Sequence, residues 1–423
     1  MIKKVVLVLV SIDLKKENHS LYTPGVASIL ASLKGCESIE AVPLVNNLPN
    51  VNSKLVIHEI INIIKRHPTE TVKIGFSVFA WNKKIVVEIV KNLRTLGYCN
   101  QTIFGGASVT STKENLEQIL PGADVYFRGY AEEILPELLR SNIGTKIVGV
   151  HWAGDKDDGK IARLKQTPIS PLLSGIYDNT SMMHFWLLTA IGCLYSCAYC
   201  LYDFGTGKRR IINFDMNRIQ QEIVCLADRK MESIKIVDAI FNDKGNRCVE
   251  ILEMFLNSGF KGKISAECRF EFVTREFIAI ILKLRNAGIE FIPEFGLQTA
   301  VLSESRIIQR GNQMKVITDK IQLLNENGIH YPVSLIYGLP EQTLESFKTT
   351  IRFCKKFRIK KIQAFPLALY HGTKIYECRK DWGLETRPNE NGIKLVYKTS
   401  TISESEFLQM EKIARGYSLN TGK

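Results

Sequence analysis

The feature that most constrains the fold is an alternation of strand-like and helix-like segments that repeats six times from His184 onward. The strand candidates are His184–Ala190, Ser233–Phe241, Lys263–Phe270, Phe291–Gln298, Tyr331–Tyr337 and Lys361–Leu369. Six units are fewer than the eight of a closed barrel, so the pattern predicts a partial, open (β/α)6 barrel of the TIM type.

A second alternation of the same kind occupies the first 140 residues and predicts an N-terminal doubly wound parallel sheet. Its strand candidates are Val5–Val10, Ile39–Val45, Val72–Phe79, Thr102–Phe104 and Ala123–Arg128, and its helix candidates are Pro24–Leu33, Ser53–Arg66 and Asn82–Leu96. The whole chain is therefore expected to be an α/β protein with the N-terminal sheet over residues 1–140 and the barrel over residues 184–375.

Two further segments complete the predicted organisation. Residues 141–183 carry the polar run Ala153–Lys160 and a proline-bearing stretch, which predicts a linker or a short hairpin. Residues 376–423 are expected to form a small C-terminal appendage with a strand at Ile393–Thr399 and a helix at Glu404–Arg415.

Composition and charge narrow the function classes. No run approaches the roughly 20 apolar residues that a membrane helix needs, and the apolar start after Lys4 is too short for a signal peptide. A cytoplasmic location and no membrane partner are therefore expected. The net charge of +13 is spread along the chain rather than gathered in an aromatic-interleaved stripe, so dedicated nucleic-acid binding is not expected. The charge is compatible with an anionic substrate or an acidic redox partner.

Three of the ten cysteines, Cys193, Cys197 and Cys200, are spaced C-x3-C-x2-C directly after the first barrel strand. Loops at the carboxyl ends of barrel strands form the active face. Three thiolates on one short loop can bind three irons of a [4Fe-4S] cubane and leave the fourth iron open. A structural zinc site would need a fourth ligand, and no further Cys or His lies within ligand spacing; a redox dithiol would use only two cysteines. The other seven cysteines are expected to be small core residues.

With Tyr199 just before its last cysteine, this loop resembles that of the radical S-adenosylmethionine (SAM) superfamily, in the branch with an N-terminal cobalamin-binding-type, Rossmann-like domain. The resemblance covers nearly the whole chain and also rests on Ile234–Phe241, Glu294–Thr299 with Arg310-Gly311, Ser334–Glu341 and Phe365–Thr373. It implies that the amino and carboxylate groups of SAM bind the open iron and that SAM is cleaved reductively.

The resemblance also implies SAM contacts at the ends of the barrel strands. Asp238 would lie near the methionyl group of SAM. Glu267 and Arg269 share one face of the third strand and would contact the SAM ribose or carboxylate, unless they form a structural ion pair. Glu294 and Gln298, at even spacing on the fourth strand, would reach the ribose.

Weaker candidates lie nearby. Arg310 would pair with a carboxylate or cap the surface. His184 is expected to be a satisfied core residue, and Tyr370 and His371 are candidates to face the substrate.

In the first domain, glycine-bearing turns end the predicted strands, where a doubly wound sheet binds ligands. By the resemblance, Ser77, Gly105, Gly106 and Ser108 are the candidates to surround cobalamin. The Asp-x-His-x-x-Gly motif whose histidine ligates cobalt is absent, since Leu14 and Lys15 follow Asp13 and His19 is too far along. Either cobalamin binds without a protein histidine, or the domain is only a lid over the barrel mouth.

The leading functional hypothesis is cobalamin-dependent radical SAM methyl transfer to a small-molecule or natural-product substrate, with electrons from a flavodoxin- or ferredoxin-type donor. One alternative is a cobalamin-independent radical SAM enzyme that rearranges its substrate or transfers the 3-amino-3-carboxypropyl group of SAM. A non-catalytic iron–sulfur sensor or RNA-binding protein is the alternative from another class, and the polar residues at the strand ends argue against it.

Overall fold

The computed structural model describes residues 4–13, 22–47, 51–178, 180–202, 210–243 and 245–419. The chain forms two compact units with the boundary after Met182. Within the described residues, no helix is both long and apolar enough to cross a membrane.

The first unit is built on a six-stranded sheet in the order β2-β1-β3-β4-β5-β6. Its strands are β1 (Val5–Asp13), β2 (Ile39–Asn47), β3 (Thr71–Ser77), β4 (Thr102–Gly105), β5 (Val125–Phe127) and β6 (Val150–Trp152), and its helices are α1 (Pro24–Leu33), α2 (Ser53–Arg66), α3 (Lys83–Thr95), α4 (Ala107–Ser111), α5 (Leu116–Ile119) and α6 (Leu135–Arg140). The first five strands pair in parallel. All nine residues of β1 are buried, as expected for a central strand covered on both faces. The predicted doubly wound sheet is confirmed.

Residues 141–183, predicted to be a linker or a short hairpin, largely belong to the first unit. β6 pairs antiparallel with β5 and buries Trp152. Ala162 is fully buried and forms a parallel bridge with Gly129. The polar composition of this segment did not reveal its packing, because the few apolar residues that it buries follow no helical or strand period.

The second unit contains a six-stranded parallel sheet in the order β14-β13-β12-β11-β10-β7. In chain order its strands are β7 (His184–Leu187), β8 (Ala190–Cys193), β9 (Arg210–Asn213), β10 (Ser233–Ile236), β11 (Lys263–Cys268), β12 (Glu290–Gln298), β13 (Pro332–Tyr337) and β14 (Lys361–Pro366), of which β8 and β9 form a separate antiparallel pair. Its helices are α7 (Met216–Asp228), α8 (Arg247–Asn257), α9 (Arg275–Asn286), α10 (Leu302–Ile307), α11 (Met314–Glu326), α12 (Leu344–Lys356) and α13 (Lys374–Glu377). All six predicted barrel strands are present in the predicted order.

The C-terminal segment forms an antiparallel hairpin of β15 (Glu385–Pro388) and β16 (Lys394–Lys398), followed by α14 (Glu404–Leu419). The predicted strand and helix of the appendage are thus present, and most of this segment groups with the second unit.

Burial alternates along the barrel strands and divides the sheet into two faces. On β11 and β12, Ile264, Ala266 and Phe291 are buried, while Glu267 and Glu294 are partly exposed. The buried face packs against helices; for example, the rings of Phe277 on α9 and Phe291 meet edge to face. The polar side chains therefore share the opposite face, hereafter the open face.

Gly129 provides a test of how residues 141–183 are integrated. A Cβ at Gly129 would lie 2.1 Å from the Ala162 carbonyl oxygen, and its φ is +95°. Gly129→Ala is expected to destabilise the first unit by about 3 kcal/mol in denaturant unfolding, from overpacking added to backbone strain. Gly144→Ala is the matched control, because Gly144 has φ +83° and open space around it. An equal effect of both substitutions would contradict close packing at Gly129.

Candidate active site

The loop with the three cysteines is held by its backbone before any ligand is considered. β8 leads into it, and a Cβ at Gly192 would lie 2.1 Å from the Arg210 carbonyl oxygen of β9, so only glycine fits before Cys193. Further along, the Ala198 N–H donates to the Ile308 carbonyl and the Ala198 carbonyl accepts from the Ile375 N–H. The loop is therefore held at its start by the β8–β9 pair and farther along by the segments after α10 and β14.

Each of the three sulfurs has an N–H donor. The Tyr195 N–H lies 3.4 Å from Cys193 Sγ, the Tyr202 N–H lies 3.4 Å from Cys200 Sγ, and Arg310 Nη1 lies 3.8 Å from Cys197 Sγ. Burial raises the pKa of the Cys193 thiol and raises that of Cys200 to about 11. Donors aimed at sulfur stabilise thiolates, which are the ligands of iron–sulfur clusters. The donor set therefore fits a [4Fe-4S] cluster.

Within the part of the chain that the structure describes, no three His, Cys, Asp or Glu side chains surround a common point closely enough to ligate a single metal ion. A cubane is bound differently, because each cysteine takes a separate iron.

The structure gives Arg310 neither of its two predicted roles, pairing with a carboxylate or capping the surface. Its Nη2 donates to the Gly296 carbonyl at 2.5 Å and its Nη1 faces Cys197. It is neither a surface cap nor paired with a carboxylate among the described residues. Although burial lowers the pKa of Arg310, Tyr199 and Cys197 outweigh that effect and raise it.

Arg269 lies beside the same loop but has other partners. It is 3% exposed, forms a two-bond pair with Glu271, and stacks its guanidinium 4.1 Å from the Tyr195 ring centroid. Its Nη2 also donates to the Arg310 carbonyl. Arg269 and Glu267 do not pair with each other, because β11 ends at Cys268 and the strand alternation ends with it.

Glu267 instead belongs to a charged trio on the open face. Lys235 Nζ lies 3.3 Å from Glu267 Oε1 and 3.0 Å from Glu294 Oε2. Burial, and then the Glu294 carboxylate, raise the pKa of Glu267, while Lys235 opposes the rise. The sequence analysis missed Lys235, although its alternation with Ile234 and Ile236 was a usable signal.

Asp238 is fully engaged by protein donors. It is 2% exposed and accepts from the Thr189 N–H at 2.7 Å, the Thr189 hydroxyl at 2.5 Å and the Ala190 N–H at 3.0 Å. Arg247 adds a bond to the Thr189 carbonyl at 2.6 Å. In this structure Asp238 braces the turn between β7 and β8, and this turn interrupts the single strand predicted at His184–Ala190. Its contact with SAM stays a prediction.

Gln298 and Glu294 are both on β12 but have different neighbours. Gln298 has φ +68°, and the pairing of β12 with β13 shifts register there. A Cβ at Gly296 would lie 2.6 Å from Gln298 Nε2 and 3.0 Å from Arg310 Nη2. Gln298 therefore lies beside the cysteine loop, whereas Glu294 joins Lys235.

The remaining barrel candidates have mixed surroundings. Tyr199 packs against an apolar cluster that includes Ala198 and Leu369, and burial raises its pKa. His184 Nδ1 lies 2.7 Å from the Ser233 hydroxyl. His371 contacts the Tyr376 ring, and burial followed by proximity to Cys200 raises the pKa of Tyr370.

In the first unit, Ser77, Gly105, Gly106 and Ser108 meet at the carboxyl edge of β3 and β4. Ser77 pairs with Gly105, and the Ser108 N–H donates to the Val78 carbonyl. A Cβ at Gly106 would lie 2.8 Å from the Val78 carbonyl oxygen, so this glycine is required for loop packing. A Cβ at Gly105 would meet only the Phe127 carbonyl oxygen, at 3.9 Å, which leaves an open cradle.

Two further features lie in the loop that follows β3. Asn82 is fully buried and its side chain donates to the carbonyls of Ile12 and Ser77, which ties the ends of β1 and β3 together. Phe79 and Trp81 stack at 4.6 Å with nearly parallel rings. The loops after β3 and β4 contain no histidine. His19 lies outside the described residues.

Comparison with known proteins places this geometry in context. No family model matches the chain. An uncharacterised methyltransferase of Pyrococcus horikoshii is 25% identical over 344 residues, covering 76% of this chain and 72% of that protein. The 2-(S-pantetheinyl)-carbapenam-3-carboxylate methyltransferase of Streptantibioticus cattleyicolor is 25% identical over 66% of this chain and 44% of its own length.

Two solved structures are similar over almost the whole chain. The radical SAM methyltransferase TsrM from Kitasatospora setae, bound to tryptophan and a SAM analogue, has a TM-score of 0.70 at 16% identity and covers 97% of this chain and 89% of its own. The cobalamin-dependent radical SAM enzyme OxsB, bound to aqua-cobalamin and SAM, has a TM-score of 0.70 at 14% identity and covers 99% and 67%. The fold expected from the resemblance is confirmed.

Lys235 provides a test of the charged trio. Lys235→Met is expected to destabilise the protein by about 1 kcal/mol at mildly alkaline pH, because the side chains are partly exposed and solvent screens them. Without Lys235 the pKa of Glu267 in the folded protein rises further. The loss of stability is therefore complete above this raised pKa, where Glu267 is ionised, and decreases as the pH falls through it. Unfolding curves near pH 8 and near pH 5 measure the difference.

Two controls accompany this test. Lys235→Arg keeps the charge and should retain most of the stability. Lys263→Met removes a lysine that pairs with the exposed Glu290 and should have little effect at either pH. A pH-independent cost of Lys235→Met would contradict the electrostatic account.

Proposed function

We propose that this chain is a radical SAM enzyme that binds a [4Fe-4S] cluster through Cys193, Cys197 and Cys200 and uses SAM and cobalamin to methylate a small-molecule or natural-product substrate. The observation that carries the proposal is the cysteine loop, which lies next to the carboxyl ends of β12 and β14 and has an N–H donor at every sulfur. That combination suits a cluster with three thiolate ligands.

The similar proteins support the choice of methyl transfer. TsrM is described as a methyltransferase and has been solved with cobalamin and a [4Fe-4S] cluster, and also with tryptophan. Both curated relatives named above are described as methyltransferases. A small organic substrate is therefore the preferred class for this chain.

The chemistry divides between the cofactors and the chain. When bound, the cluster supplies one electron to SAM, and cobalamin supplies a carrier for the methyl group. Glu267 and Glu294, held by Lys235, present carboxylate oxygens that can accept hydrogen bonds from ribose hydroxyls of SAM. Gln298 presents an amide near the cysteine loop, and Arg269 keeps Tyr195 in place by stacking.

The first unit would hold cobalamin at the carboxyl edge of β3 and β4. Gly105 leaves room for close approach, while Gly106 and Ser108 keep the two loops together. Because no histidine lies in these loops, they would not supply a histidine ligand to cobalt.

The electron donor is proposed to be a flavodoxin- or ferredoxin-type protein. Such donors are acidic, and the net charge of +13 on this chain favours their association at low ionic strength.

The decisive experiment is anaerobic reconstitution followed by incubation with SAM and a reductant, with mass spectrometry of the SAM fragments and iron analysis. The parent protein is expected to bind about four irons per chain and to cleave SAM. Replacing Cys193, Cys197 and Cys200 together by alanine should abolish both, with unfolding of the first unit unchanged. Full iron loading of the triple variant would refute the cluster assignment.

The cobalamin part of the proposal has its own test. Protein produced with abundant cobalamin should show corrin absorption bands, and Gly105→Leu should reduce them by filling the cradle, at an unchanged melting temperature. His19→Ala is the matched control and should leave the bands unmoved. The absence of corrin bands from the fully loaded parent would favour a cobalamin-independent radical SAM reaction instead.

A further inference from the structure

Arg310 is a cation without a conventional counter-ion. Its Nε is buried and has no hydrogen-bond partner, and no carboxylate among the described residues lies within ion-pair distance of it. The carboxylate of Glu271 acts on Arg310 from farther away, but it forms a two-bond ion pair with Arg269. Two groups that act on it have anionic forms, the Cys197 thiol, to which Nη1 donates, and the Tyr199 phenol, whose pKa is raised by burial.

A largely buried guanidinium costs free energy unless its charge is compensated. A neutral Cys197 thiol cannot provide that compensation, but a thiolate bound to an iron–sulfur cluster can. The charge of Arg310 is therefore accounted for when Cys197 is a cluster ligand.

The position of Arg310 is also fixed rather than incidental. Nη2 donates to the Gly296 carbonyl, and the Arg310 carbonyl accepts from Arg269. Gly296 has no side chain, and a Cβ there would lie 3.0 Å from Nη2. The guanidinium thus occupies space that the sequence keeps open, with one edge on the backbone of β12 and the other on Cys197 Sγ.

We propose that Arg310 sets the reduction potential of the cluster by donating a charge-assisted hydrogen bond to the Cys197 sulfur. The inference rests on the proposed function, because it requires Cys197 to ligate a cluster. Reduction adds one negative charge to the cluster, and a nearby cation with an N–H donor stabilises the reduced form more than the oxidised form. Arg310 therefore makes the cluster easier to reduce, and it acts as a positioning residue through Cys197.

The test is an EPR-monitored redox titration of the reconstituted, SAM-free protein. Arg310→Gln is expected to change the one-electron reduction equilibrium by about tenfold, which is a shift of about 59 mV to a more negative potential. Arg310→Lys keeps the charge and should shift the potential by less. Arg306→Gln removes an exposed arginine on the nearby α10 and should leave the potential unchanged.

Gly296→Ala provides a second route, since it retains Arg310 and displaces its guanidinium from Cys197; the potential should again become more negative. If Arg310→Gln has the same reduction potential as the parent, the proposal is wrong. This holds even if the same variant binds SAM more weakly, because Arg310 would then act on SAM and not on the cluster. Loss of the cluster in all three Arg310 and Gly296 variants would also overturn it, by indicating a role in assembly. Failure of the parent protein to bind a cluster would instead refute the proposed function.

Discussion

The candidate active site depends on the buried carboxylate of Asp238. Three donors from Thr189 and Ala190 converge on it, and Arg247 holds the Thr189 carbonyl from the other side. These bonds end β7 and turn the chain into β8, which carries Cys193. Because an uncompensated buried carboxylate is costly, the turn has little freedom to take another path. The cysteine loop consequently leaves the sheet from a fixed position.

The polar residues of the barrel form two separate groups with different electrostatics. On the open face, Lys235 links Glu267 and Glu294 and leaves the trio with an excess of negative charge. Around the cysteine loop the excess is positive, because Arg310 has no carboxylate partner among the described residues while Arg269 is neutralised by Glu271. Opposite local fields would suit neutral hydroxyl groups at one place and the proposed anionic cluster at the other. This division follows from where strands end, since Glu267 is within β11 and Arg269 is just beyond it.

Most of the fold was accessible from periodicity. A helical or a strand period repeats along each element and needs no knowledge of distant residues, so the strands of both parallel sheets were predicted. Residues 141–183 were misjudged because β6 and Ala162 pack through single buried residues, for which no period exists. The strand predicted at His184–Ala190 was similarly one apolar run in sequence, and only the bonds to Asp238 divide it.

The sequence alone determined the two parallel sheets, the clustering of three cysteines in one short segment that follows the first barrel strand, and the absence of a histidine motif for cobalt, because spacing within one segment carries that information. Tertiary structure decided which charged residues meet. Lys235 reaches Glu267 and Glu294 across neighbouring strands, and Arg310 lies 113 residues from Cys197 along the chain yet contacts its sulfur. Such partners depend on strand register and on the path of the loops between strands, and a one-residue change in register would move Lys235, Glu267 or Glu294 to the other face of the sheet.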